Sequence, residues 1–97
     1  MSTRDRALPL ANPKVVWTSL SEGAVLFSNE TELYYGLNGV GAVVWDLLPP
    51  ASATLDELCL SVHERFPDAT LEQIRGDVAE LLTELERFGL VVSADES

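Results

Sequence analysis

The sequence predicts an α+β domain in which a three-stranded antiparallel meander is followed by three helices. Three observations carry this prediction. Residues 14–36 hold three short runs of strand-forming side chains separated by polar or glycine-bearing breaks. From Asn38 onward the apolar residues recur at threes and fours, the period of a helix face. Two later segments, beginning at Thr54 and Thr70, open with the residue pattern of a capping box.

The elements follow in order. Residues 1–13 are polar, hold two prolines and lack periodicity, so a flexible N-terminal arm is expected there. Lys14 to Leu20 contains Val15, Val16, Trp17 and Thr18 and reads as the first strand. Ser21-Glu22-Gly23 is a turn, Ala24 to Ser28 a second strand, and Asn29-Glu30 a connection of hairpin length. Thr31 to Gly36 reads as the third strand, and a meander leaves its first and third strands as edges.

Asn38 is placed to cap the first helix, whose apolar face is Val40, Val43, Val44, Leu47 and Leu48. Gly39 and Gly41 each cost about 1 kcal/mol of helix propensity relative to alanine, which predicts close approach of this helix start to the third strand. Pro49-Pro50 ends the helix. The second helix presents Leu55, Leu58, Cys59, Val62 and Phe66; the third and longest presents Leu71, Ile74, Val78, Leu81, Leu85 and Phe88, with Gly89 positioned as its C′ residue. Leu90-Val91-Val92 reads as a closing strand or a docked tail, and residues 93–97 as a frayed end. A short, short, long helical set after a small meander is winged helix-turn-helix-like. The domain is thus expected over residues 14–92.

Composition narrows the function classes. With 97 residues the chain holds one core and no deep enclosed substrate cavity. Sixteen acidic residues against 6 basic ones give a formal net charge of −10, which repels nucleic-acid phosphates and anionic lipid heads. That acidity serves solubility alone or favours basic partners. The single cysteine, Cys59, excludes an intrachain disulfide, and no run approaches the roughly 20 apolar residues of a membrane span. No signal-peptide h-region is visible, so a cytoplasmic location is expected.

The elbow Tyr34-Tyr35-Gly36-Leu37-Asn38-Gly39-Val40-Gly41-Ala42, the helix Val44-Trp45-Asp46-Leu47-Leu48, the threonine-capped second helix and the acidic third helix ending Phe88-Gly89-Leu90-Val91 occur in a distinctive order. In that order they resemble the PqqD-like proteins, also called RiPP precursor peptide recognition elements, over about Val15 to Val92. The resemblance implies a non-catalytic domain without cofactor or metal that binds the leader of a ribosomally made precursor peptide. The leader would add as a strand to the third strand and lie between it and the third helix. The Gly-Leu-Asn wording and stand-alone length look most like the discrete recognition proteins of lasso-peptide clusters, whose partners are a leader peptidase and a cyclase. A PqqD-type role, delivering a peptide to a radical-SAM enzyme in quinone cofactor biosynthesis, is the alternative.

Thr31, Glu32, Leu33, Tyr34 and Tyr35 are the candidate peptide-binding strand, since it carries neither the lysine nor the proline that guard many edges. Leu33 and Tyr35 face one side and Glu32 and Tyr34 the other, and the sequence leaves open which pair enters the core. On the third helix, Leu82 borders the apolar stripe in line with Arg75, and Arg75, Val78 and Leu82 complete the candidate site. An apolar leader side chain with an acidic neighbour would suit that pair.

Other classes fare worse. In a winged-helix DNA reader the last helix enters the major groove, yet Thr70 to Phe88 carries five acids (Glu72, Asp77, Glu80, Glu84, Glu86) against Arg75 and Arg87. An enzyme would need more than Cys59 and His63, which lie four apart on one helix without an orienting group. A dimerisation module remains, because an exposed edge can pair with a second copy, so monomer and homodimer are both open.

Overall fold

A computed structural model describes residues 8–93. The elements are β1 (Leu10–Ala11), β2 (Val15–Leu20), β3 (Gly23–Ser28), β4 (Tyr34–Leu37), α1 (Gly39–Asp46), α2 (Leu55–Arg65), α3 (Leu71–Arg87) and β5 (Val91–Val92). The predicted meander is the antiparallel sheet β2-β3-β4, and the three helices follow it. β3 is the central strand, and its side chains alternate as the pleat requires: Ala24, Leu26 and Ser28 are buried while Val25 and Phe27 stand half-buried on the opposite face. Register carries that inner face across the sheet, with Leu26 opposite Tyr35 and Ala24 opposite Leu37.

The helices cover this inner face. Asn38 Oδ1 accepts the Gly41 N–H at 2.8 Å and starts α1, which buries Gly41, Val44 and Trp45. Thr54 caps α2, and Thr70 with Gln73 forms the complete capping box of α3. α2 contributes Leu58, Cys59 and Val62 to the core, and α3 contributes Ile74, Val78 and Leu85. The end of α3 is a Schellman motif: Leu90 N–H donates to the Leu85 carbonyl at 2.9 Å and Gly89 N–H to that of Glu86 at 3.1 Å. Gly89 takes the left-handed φ of 72° that this turn demands.

The close approach expected at the start of α1 rests on one glycine of the two. A Cβ on Gly41 would press on Leu37 at 3.3 Å, whereas one on Gly39 would meet only the Glu22 carbonyl at an ordinary 3.8 Å. Gly23, read simply as a turn residue, is the tighter case: a Cβ there would collide with the Leu37 carbonyl oxygen. Phe88, expected in the core, is 49% exposed because it caps α3 beyond the buried stripe.

Residues 8–13 are not a loose arm. Leu8 is 2% exposed, and Leu10 and Ala11 pair antiparallel with Val92 and Val91. Asn12 secures the clasp: its Nδ2 donates to the Gly89 carbonyl at 2.8 Å, its Oδ1 accepts from Lys14 N–H at 2.9 Å, and its own N–H donates to the Leu90 carbonyl. A two-residue strand has no period to read, and its partner lies eighty residues away, so the sequence pattern concealed it. Leu90-Val91-Val92 is thereby a closing strand. The remainder of the expected arm and the residues after Ser93 lie outside the described residues.

Candidate functional site

The site grows from the way β4 is tied to β3. Ser28 Oγ accepts from the N–H groups of Glu30 and Thr31, both at 3.2 Å, and the Ser28 carbonyl accepts from Glu32 N–H at 2.8 Å. Glu32 consequently turns through a φ of 61°. The strand therefore begins at Tyr34 rather than Thr31. Thr31 and Glu32 form the connection, and Leu33 stands 65% exposed at its end instead of sharing an inner face with Tyr35.

The backbone ladder fixes which groups of β4 are free. The Leu33 carbonyl accepts from Ser28 N–H at 3.1 Å, so Leu33 faces β3. Backbone direction alternates in an antiparallel pair, so Tyr35 and Leu37 also face β3. Tyr34 and Gly36 accordingly direct their N–H and C=O groups away from the sheet. β4 ends the strand order, and no described strand pairs with that side.

Beside this edge, β4 and α3 enclose an open cleft of about 370 Å³. Tyr35, Leu37, Val40 and Gly41 floor it, and Asp77, Glu80, Leu81 and Glu84 wall it. Tyr35 settles which face of β4 looks inward. Its hydroxyl donates to Glu84 Oε1, and its ring lies 5.6 Å from that of Phe88. The hydrogen bond to Glu84, then burial, then the negative charge of Glu84 push the Tyr35 phenol up to about 12. Tyr34 faces the other way, 74% exposed, with its ring 4.8 Å from Phe27.

The three helix residues singled out from sequence do not line this cleft. Val78 is wholly buried in the core. Arg75 reaches toward α2, where Nη1 lies 3.1 Å from Asp56 Oδ1. Leu82 shares the Arg75 side of the helix and packs half-buried against the core. The α3 residues of the cleft are Asp77, Glu80, Leu81 and Glu84, and Phe88 follows one turn later against the Tyr35 ring. Periodicity assigns Leu81 to the core stripe and leaves Leu82 as the apolar residue beside it, so the pattern alone points to the other side of the helix.

A second hollow of about 470 Å³ lies between Trp17 of β2 and the Pro49-Pro50 turn, with Trp45 beneath it. At the adjoining β2 edge Val15 N–H is already held by the Asn12 carbonyl at 2.9 Å. Cys59 is fully buried, and desolvation pushes its thiol above its ordinary value, the reverse of nucleophile activation. Among the described residues no helix is long and apolar enough to cross a membrane, and no group of three or more His, Cys, Asp or Glu side chains is placed to hold a metal ion.

Comparison with known proteins decides the family. The family model for coenzyme PQQ synthesis protein D (PqqD) matches residues 23–91, which spans the chain from the start of β3 to the start of β5. The chain belongs to the PqqD family. A solved structure of TbiB1 in complex with the TbiA(beta) leader peptide shares the PqqD-like fold, with a TM-score of 0.75 and 22% identity over 84% of this chain and 93% of that one. No curated protein matches this PqqD-family sequence. The open edge of β4 and the cleft beside it thus lie within the matched segment.

Proposed function

We propose that this PqqD-family chain binds the leader segment of a ribosomally made precursor peptide by strand addition and presents it to a modifying enzyme, without catalysis of its own. The observation that carries the reading is the outward set of Tyr34 and Gly36 backbone groups beside the cleft against α3. An added strand satisfies those groups with main-chain hydrogen bonds and places every second side chain over the cleft. The likeness to TbiB1, a structure containing a leader peptide, supports the same reading.

The partner that best fits is a leader peptidase of the lasso type, on the strength of the Gly36-Leu37-Asn38-Gly39 wording. A radical-SAM partner is the second reading, favoured by the PqqD family match. The test titrates the protein with the leader of its precursor while following amide hydrogen exchange. Slowed exchange at Tyr34 and Gly36 is expected; binding that leaves both amides unprotected would sink strand addition at β4. Co-purification with the peptidase or with the radical-SAM enzyme then separates the two partners.

A further inference from the structure

We propose that the cleft selects a leader carrying a lysine or arginine on the same face as an apolar side chain two residues away. This rests on the strand-addition reading above and specifies what the added strand must contain.

The cleft is not uniformly apolar. Leu37, Val40 and Leu81 offer an apolar patch, while Asp77, Glu80 and Glu84 place three carboxylates on the facing wall. Glu80 and Glu84 are four apart on α3 and therefore stack on one helix side. One oxygen of Glu84 accepts the Tyr35 hydroxyl. The ion pairs found among the described residues, Lys14–Glu30 and Arg75–Asp56, involve none of the three. Among the described residues, then, no cation is paired with this wall. Arg75, the basic residue that the sequence placed at the site, is engaged with α2. A leader acid expected opposite Arg75 would instead meet negative charge.

An added strand sends alternate side chains inward, about 7 Å apart. At the level of Leu37 an inward side chain lies over the apolar patch; at the level of Tyr35 the next lies toward Glu84, one helical turn from Glu80 on the same wall. An apolar-x-basic spacing, or its reverse for the opposite strand direction, matches both levels. A lysine or arginine stem also covers apolar surface while its head reaches the carboxylates.

The experiment selects binders from a displayed library of random linear peptides on the wild-type protein and on two charge-reversal variants. Glu80→Lys alters the cleft wall; Glu64→Lys alters the overall charge equally at an exposed position on α2. The wild type and Glu64→Lys are expected to enrich a basic residue two positions from an apolar one, and Glu80→Lys to lose or invert that preference. Replacing the selected base by glutamine should lower affinity about tenfold at low salt and less at high salt. Binders without a basic preference, or a preference that survives Glu80→Lys, overturn the inference and leave strand addition standing. A selection that enriches no peptide on any of the three proteins overturns both.

Discussion

Replacing Gly36 by proline isolates the backbone contribution of the open edge. Proline removes an N–H, and the Gly36 N–H points away from β3, so the β3–β4 ladder through Tyr35 and Leu37 keeps its bonds. A Cβ at this position meets nothing within 4 Å, so Gly36→Ala is a clean control that retains the donor. A lost strand bond is worth about 1 kcal/mol net, and the carbonyl left unpaired on the bound peptide adds about 1 kcal/mol more. The sum of about 2 kcal/mol corresponds to roughly thirtyfold in affinity. Fluorescence anisotropy with a labelled peptide that binds the wild type should therefore show Gly36→Pro weakened by about that factor and Gly36→Ala by less than about threefold. Urea denaturation should show Gly36→Pro destabilised by under about 1 kcal/mol, the tolerance of an edge position. Equal loss in both variants would place the effect in the side chain. A collapse of Gly36→Pro stability would mean that its N–H is part of the β3 ladder. Either outcome refutes the assignment of outward groups.

Three further outcomes are expected. Leu81→Glu should weaken peptide binding at least tenfold by adding charge to the apolar patch, while Arg75→Glu changes affinity less than about twofold and stability by under about 1 kcal/mol, since its ion pair with Asp56 is exposed. Tyr35 contributes stability that is fully present below pH 10 and is lost as pH rises toward about 12, because the folded protein holds its proton more tightly than the unfolded chain. The openness of Glu84 to solvent limits this to about 1 kcal/mol. The tyrosinate absorbance of wild type minus Tyr35→Phe should rise with a midpoint near 12, and a midpoint at or below 10 would remove the hydrogen bond from the account. Leu8→Ala should cost about 2–4 kcal/mol in denaturant melts, as for a core leucine; a change under 0.5 kcal/mol would return residue 8 to the solvent.

The parts of the fold legible in the sequence were those written in local periodicity. The strand alternation of Ala24 to Ser28, the threonine caps at 54 and 70, and Gly89 at the C′ position each depend on neighbours within a few residues. The parts that escaped depend on distant partners. Leu8 and β1 have meaning only against Leu90 to Val92, and Gly23 only against the Leu37 carbonyl. An open strand edge next to a long helix was legible, but the cleft beside that edge is walled by Asp77, Glu80, Leu81 and Glu84 and not by the Arg75 and Leu82 side of the helix. Leu82 and Leu81 are adjacent in sequence and sit 100° apart around α3, and only the packing of α2 against the Arg75 side shows which one faces β4. Likewise the Ser28 turn, built from a side chain that accepts two backbone N–H groups, shortened the strand from its start.

The clasp of Leu10–Ala11 with Val91–Val92 has a consequence for how such a domain travels between proteins. It makes the fold a loop closed at its base, entered and left at neighbouring points. A unit of that kind can be spliced into a surface turn of a larger enzyme, or joined at either side, without stretching the host's backbone. Tethering of that sort would replace a diffusional encounter with the enzyme by a local concentration in the millimolar range. On the function proposed above, the same closed fold would suit a separate carrier and a built-in module equally well.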